Sequence, residues 1–136
     1  MPLPPKKYDE SSVFTAENLL REARRQKMTL NGSVPKICLL DPDGDIVRCL
    51  LADNRAVKCS VWACYHTDLY LFELEGLQIG VLGCAVGASF AVLVAEELFA
   101  SGCELLLSIT SAGQLLALRN PPYFVLIDKA LRDEGT

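Results

Sequence analysis

One block of the sequence, residues 79–113, constrains the fold more than any other. It predicts an apolar strand, a turn that contains Gly83 and Gly87, a helix, and a second apolar strand that ends in TSAG at residues 110–113. Two strands joined by a helix in this way belong to a parallel sheet. Ligands of such sheets bind where the strands end, so the small residues and free backbone N–H groups at these ends predict a site for an anion or a sugar.

The rest of the sequence adds further helices and strands to this block. The predicted helices cover residues 16–28, a short stretch that begins near residue 46, and 88–100; the predicted strands cover 34–40, 56–63, 66–74, 77–83, 104–109 and 123–128. Segments 56–63 and 66–74 alternate apolar and polar residues, which predicts an antiparallel pair. Strands that alternate with helices are typical of the α/β class, and we expect a three-layer sandwich around a mixed, largely parallel central sheet.

The length of 136 residues allows one hydrophobic core and is too short for two ordinary domains. Residues 1–12, which contain prolines and lysines, are predicted to form a flexible tail, and residues 13–136 a single domain. Thr15 is the predicted N-cap of the first helix, and we expect the side chains of Leu19, Leu20, Ala23 and Met28 to face the core.

Charge and cysteine content exclude several classes of function. The net charge of −4 argues against a nucleic-acid partner. The six cysteines form no CxxC pair and the sequence has one histidine, so zinc-ligand spacing is absent and no metal is expected. Cys38, Cys84 and Cys103 lie in or beside apolar segments, as buried thiols do. Free thiols are typical of a reducing compartment, and we expect a cytoplasmic protein.

A membrane location is the alternative that residues 76–95 raise, because these 20 residues carry no charged side chain. Glycines at 76, 80, 83 and 87 make the first half a poor helix. The run therefore predicts a strand and an amphipathic helix separated by a turn, and no membrane partner. The N-terminal decapeptide also lacks the apolar core of a signal peptide.

Three short motifs carry polar residues that could bind a ligand. In the acidic loop DPDGDIVR, Gly44 permits an unusual backbone conformation and Arg48 lies one turn into the next helix, where it could hold phosphate. The alternative for this motif is an acidic turn that caps a helix, with Arg48 in a surface ion pair. The motif GCAVGAS places Gly87 and Ser89 before a helix, and close packing of small residues is its alternative. The third motif, SITSAGQ, places hydroxyl groups at a strand end.

In this order and spacing the motifs resemble one family. The pattern GDxxR at residues 44–48, G-x-x-x-G at 83–87, a hydroxyl-rich strand end that closes on AG, and the final ALRDEGT are similar to the nucleoside phosphorylase superfamily, of the uridine and purine phosphorylase type. The resemblance covers most of residues 34–136. It implies an α/β sandwich enzyme that attacks C1′ of a nucleoside and breaks the N-glycosidic bond, with inorganic phosphate as co-substrate and no other cofactor.

The resemblance also implies roles for individual residues. Phosphate binding is implied for Gly44, Arg48 and Ser111. Substrate-loop roles are implied for Gly87, Ser89, Thr110, Gly113, Arg132 and Glu134. The family shares its active sites between subunits, so the intact enzyme is expected to be a homo-oligomer, a dimer or a hexamer.

Two positions depart from the family pattern. Ser108 stands where phosphorylases of this type carry an arginine, and no arginine lies near Tyr65, where the second phosphate arginine falls by spacing. Fewer arginines hold a dianion less tightly, because each charge-assisted hydrogen bond contributes roughly 1.5–3 kcal/mol. A nucleosidase that uses water, and a non-catalytic ligand-binding α/β module, therefore stay open as alternatives.

The length of the chain gives the last expectation. Family members continue well past residue 136 and carry their ribose- and base-binding residues there. We therefore expect residues 13–136 to be the N-terminal portion of a nucleoside phosphorylase-like domain, inactive alone, with its catalytic residues elsewhere. The choice of nucleobase is not indicated.

Overall fold

A five-stranded sheet with helices on both faces forms the centre of the structure. The computed structural model describes residues 9–10, 12–117 and 119–131. Its helices are α1 (Ala16–Lys27), α2 (Asp45–Ala52) and α3 (Ala88–Ala100). Its strands are β1 (Ile37–Asp41), β2 (Ala56–Lys58), β3 (Leu69–Leu74), β4 (Leu77–Gly83) and β5 (Leu105–Ser108).

The sheet has the strand order β2-β3-β4-β1-β5 and is mixed. β1 lies between β4 and β5 and is parallel to both, so that Leu39 is opposite Val81 on one side and Leu107 on the other. β3 is antiparallel to β2 and to β4. The predicted α/β class and mixed sheet are confirmed, and the architecture is compatible with an α/β sandwich. Parallel pairing is confined to β4, β1 and β5.

Alternate side chains of β1 enter two apolar clusters on opposite faces of the sheet. Cys38 and Leu40 pack in a cluster that includes Val94 of α3. Leu39 packs on the other face, in the cluster that includes Val47 of α2. Successive side chains of a strand point to opposite faces, so a continuously apolar strand such as β1 requires cover on both. α1 packs against α3 and extends the first face.

The first helix follows its prediction except at its end. Thr15 is the N-cap and accepts a hydrogen bond from the backbone N–H of Asn18 at 3.3 Å. Leu20 and Ala23 are buried as expected, but Met28 is 88% exposed, so its predicted core position is wrong. Met28 adopts the left-handed conformation of a C-cap, which ends the helix and removes its side chain from the buried face.

The connection between β2 and β3 is longer than predicted. The two strands are antiparallel as expected, with Ala56 opposite Phe72, but β2 ends at Lys58 instead of residue 63. In the connection the Trp62 side chain is buried, and its Nε1–H donates to the backbone oxygen of Thr67 at 3.1 Å. The backbone N–H of Cys59 still donates to the backbone oxygen of Leu69, and beyond it packing of this indole against the core replaces strand pairing over residues 60–63.

The predicted strand at residues 123–128 is wrong. These residues have no strand pairing in the described part of the chain. Phe124 and Leu126 are each 94% exposed. An apolar run has strand propensity, but a strand forms only where a neighbouring strand completes its hydrogen bonds.

The uncharged residues 76–95 divide between β4, a turn, and the first half of α3, as predicted. No helix among the described residues is long and apolar enough to cross a membrane. Of the predicted tail at residues 1–12, only residues 9, 10 and 12 are described.

Candidate functional site

The loops that follow β1, β4 and β5 meet at one edge of the sheet, where the three parallel strands end. The backbone N–H of Cys84, just after β4, donates to the backbone oxygen of Asp41 at the end of β1, at 2.9 Å. The segment after β5 reaches the same place, because the backbone N–H of Ser111 donates to the Asp43 carboxylate at 2.6 Å. The predicted meeting of strand ends therefore occurs, with the loop after β1 at its centre.

Asp41 holds this central loop in shape. Its side chain is buried and accepts hydrogen bonds from the backbone N–H groups of Gly44 at 3.1 Å and Val47 at 3.0 Å. A carboxylate at this position caps the N-terminus of α2 and complements the helix dipole. The acidic turn that caps a helix, one alternative for this motif, is therefore present.

Gly44 is the N-cap residue of α2 and requires its glycine identity. Its φ is +74°, which residues with a Cβ rarely adopt. A Cβ at this position would lie 2.6 Å from the Sγ of Cys84 and 3.0 Å from a terminal nitrogen of Arg48. The loops after β1 and β4 and the first turn of α2 are therefore in close approach here. The Gly44 N–H donates to Asp41, so a phosphate at this amide would compete with that carboxylate.

Arg48 lies at the surface and interacts with acidic and carbonyl oxygens of its own loop. Its guanidinium donates to the backbone oxygen of Asp43 at 3.2 Å and forms an ion pair with Asp45. The side chains of Arg48 and Asp45 are 64% and 75% exposed. The surface ion pair, the other half of the alternative for this motif, is also present, and exposed pairs of this kind exchange partners at low cost.

Asp43 connects the loop after β1 to the segment after β5. Its Oδ2 accepts hydrogen bonds from the Ser111 backbone N–H at 2.6 Å and from the Thr110 hydroxyl at 3.2 Å. The Ser111 amide and hydroxyl, the Thr110 hydroxyl and the charge of Arg48 hold the pKa of the Asp43 carboxyl below its ordinary value. We call the Ser111 N–H and the Thr110 hydroxyl the 110–111 donor pair.

A cavity of about 270 Å³ opens beside Gly44 and Arg48. His66, Tyr70, Cys84 and Phe90 contribute to its wall. The His66 and Phe90 rings meet edge to face with centroids 6.3 Å apart. The wall also contains Asp68, so the cavity combines one cationic and one anionic side chain with aromatic surfaces, which suits a ligand that has a polar end and a flat apolar part.

The structure brings together some of the predicted site residues and leaves others apart. Gly44, Arg48, Thr110 and Ser111 gather around Asp43. Gly87, Ser89 and Gly113 are exposed, and a Cβ added at either glycine would meet nothing within 4 Å. The last two predicted residues, Arg132 and Glu134, lie outside the described residues.

No role at the site was predicted from the sequence for Asp41, Asp43 or Cys84. Of three neighbouring acidic residues, Asp41 is buried while Asp43 and Asp45 are exposed, and the sequence gives no signal for which of them caps α2 and which contacts Ser111. His66 and Cys84 enter the cavity wall through the packing of loops from different strands. Among the described residues, no three His, Cys, Asp or Glu side chains are grouped so that they could hold a metal ion.

No protein-family model matches the chain, and no curated protein matches it significantly. Function is therefore inferred from the residues and their arrangement.

Proposed function

We propose that this chain is a nucleoside phosphorylase-like protein with a three-layer α/β sandwich, which acts on the N-glycosidic bond of a nucleoside. One observation carries the proposal. Asp43, which precedes Gly44 and whose backbone oxygen accepts from Arg48, accepts hydrogen bonds from Thr110 and Ser111 of the segment after β5, more than sixty residues away in the sequence. Apart from Asp43, these are residues to which the sequence resemblance assigns phosphate and substrate contacts, and they lie at the strand ends where α/β proteins bind ligands.

The proposed reaction is a substitution at C1′ of the nucleoside. An oxygen of phosphate forms a bond to C1′ while the bond from C1′ to the base nitrogen breaks, and the base leaves with the electron pair and takes up a proton. The products are a pentose 1-phosphate and the free base. Arg48 and the 110–111 donor pair would position the anion, and positioned donors favour a transition state with an oxocarbenium-like sugar.

Hydrolysis is the second candidate, and two observations favour it. Asp43 already accepts hydrogen bonds from the 110–111 donor pair, and Ser108 supplies no charge at the end of β5. With water as the acceptor, its oxygen bonds to C1′ while the bond from C1′ to the base nitrogen breaks. The base leaves with the electron pair and takes up a proton to balance the one that the water loses, and the products are the free sugar and the base. Hydrolysis does not require the protein to bind a phosphate dianion.

Assembly and location follow from the same resemblance. We propose a homo-oligomer in the cytoplasm, with nucleoside and phosphate as the small-molecule partners. The exposed apolar residues of β5, Leu105 and Leu107, offer a surface for subunit contact.

The Arg48→Ala variant tests the site. We expect ribose 1-phosphate to bind the unmodified protein in isothermal titration calorimetry and to bind the variant about tenfold more weakly, because one charge-assisted contact is lost. Arg55→Ala is the matched control, since Arg55 follows the opposite end of α2 and is exposed. Equal affinities of the unmodified protein and Arg48→Ala would contradict the proposed site.

The reaction type is decided by chromatography of uridine, inosine and adenosine after incubation with the protein, with and without phosphate. Base release that requires phosphate supports phosphorolysis, and equal rates under both conditions support hydrolysis. Binding without base release supports the non-catalytic module.

A further inference from the structure

The Asp43 carboxylate accepts two hydrogen bonds from the segment after β5. Its Oδ2 lies 2.6 Å from the Ser111 backbone nitrogen and 3.2 Å from the Thr110 hydroxyl oxygen, both at hydrogen-bond distance. A backbone N–H and a hydroxyl that point at one oxygen, with a guanidinium nearby, are donors typical of an anion site. Here the anion belongs to the protein itself.

The contact is not required by local chain geometry. Asp43 and Ser111 are 68 residues apart in the sequence and come from loops after two different strands. Both residues are exposed, so water could hydrate the carboxylate and both donors if the contact were absent. The pKa of Asp43 lies below its ordinary value chiefly because of the Ser111 amide, which agrees with a carboxylate held in its charged form by these donors.

We propose that Asp43 is a specificity residue that competes with free phosphate for the 110–111 donor pair. The inference rests on the proposed function in one respect: it takes Ser111 as the residue that would otherwise contact phosphate. A phosphate dianion at Ser111 would have to displace the Asp43 carboxylate or lie beside it, and two like charges a few ångströms apart repel. Neutral hydroxyl groups of a sugar meet no such barrier, because a carboxylate accepts hydrogen bonds from several donors at once.

The position of Asp43 affects whether phosphate or water acts as the second substrate beside the nucleoside. Asp43 lowers the affinity of this site for free phosphate while it leaves the site open to a neutral, hydroxyl-bearing ligand. Of the two reactions proposed above, Asp43 therefore favours the second, hydrolysis, over phosphorolysis, and removal of its carboxylate shifts the preference toward phosphate.

The test is the affinity of the full chain for inorganic phosphate, measured by calorimetry and by the NMR shift of the Ser111 amide at constant ionic strength. We expect Asp43→Ala to bind phosphate about tenfold more tightly than the unmodified protein, which corresponds to about 1.4 kcal/mol. Asp43→Asn keeps the size of the side chain and removes its charge, so a smaller gain is expected. The double variant Asp43→Ala with Arg48→Ala should lose most of the gain.

The matched control is Asp53→Asn, which removes the same charge at the opposite end of α2. Its phosphate affinity should equal that of the unmodified protein. Thermal unfolding of each variant checks that the fold is kept, and Asp43→Asn provides the test if Asp43→Ala unfolds. The inference is wrong if neither Asp43 variant binds phosphate more tightly, or if Asp53→Asn gains as much.

This result is separate from that of the proposed function. Tighter phosphate binding by Asp43→Ala together with no binding or cleavage of any nucleoside would leave the role of Asp43 intact and contradict the proposed function. Nucleoside binding together with an unchanged phosphate affinity of Asp43→Ala would contradict the role of Asp43 and leave the proposed function intact.

Discussion

Single cysteine residues illustrate how burial sets chemical reactivity in this protein. All six cysteines are free thiols, and only Cys49 and Cys84 are exposed. Burial, followed by the neighbouring Cys103, raises the pKa of Cys38 to about 12. Cys84 was expected to be buried because apolar residues flank it, and that expectation is wrong. Its φ of +63° places it in the turn after β4, where the side chain leaves the core and reaches the cavity beside Arg48.

We therefore predict selective alkylation of the native protein. The thiolate is the reactive species, so a thiol with a pKa near 12 is almost fully protonated at pH 8 and is also shielded from reagent. Iodoacetamide should label Cys49 and Cys84 and spare Cys38, as measured by mass spectrometry of the peptides. All six should react in denaturant. Labelling of native Cys38 as fast as Cys84 would show that the core is open.

The helix α2 depends on a residue outside it. Asp41 is the last residue of β1, and its carboxylate accepts from the backbone N–H groups of Gly44 and Val47. Its backbone oxygen also accepts from Cys84, after β4. One residue thus connects two parallel strands and a helix, which places Arg48 and Asp43 at the site.

We predict that Asp41→Asn lowers the free energy of unfolding by about 1–3 kcal/mol. The backbone N–H of either Gly44 or Val47 then faces an NH₂ group instead of an acceptor oxygen. Urea unfolding followed by circular dichroism measures the change. Asp45→Asn is the control on the same helix, and its exposed carboxylate should matter less. A smaller loss in Asp41→Asn than in Asp45→Asn would contradict the assigned capping role.

Over the whole molecule, the two edges of the sheet differ in their protection. β2 has three residues, lies under α2, and ends in Lys58, which pairs with Asp68 at 2.8 Å. β5 is an edge of leucines, of which Leu105 and Leu107 are about half exposed. Charged side chains at an edge oppose pairing with other chains, whereas an exposed apolar edge promotes it.

We predict that the protein self-associates through β5. Sedimentation velocity should show a mass that rises with concentration, and Leu107→Lys should suppress that rise because a charge at the edge opposes strand pairing. Val57→Lys on β2 is the matched control and should associate as the unmodified protein does. A monomer at all concentrations, or equal suppression by both variants, would contradict the prediction.

The sequence by itself determined the local elements of this protein. Thr15 as a cap, the apolar run of β4, and the small residues before α3 act over a few positions, so the bounds of α1, β4 and α3 follow from them to within a residue or two. The three loops with candidate ligand-binding residues could be predicted in the same way, since parallel strands end at one edge.

Only the tertiary structure decided how the residues of those loops are used. The position of Asp43 against Ser111, 68 residues away, does not follow from local preference. The i,i+3 pair of Arg48 with Asp45 is local, but its place beside the Asp43–Ser111 contact is set by the packing of the loops. The apolar residues 123–128 show the same limit, because a strand needs a partner that its own sequence does not supply. Contacts between distant segments depend on how all elements pack together, and that packing fixed which charged groups meet at the site.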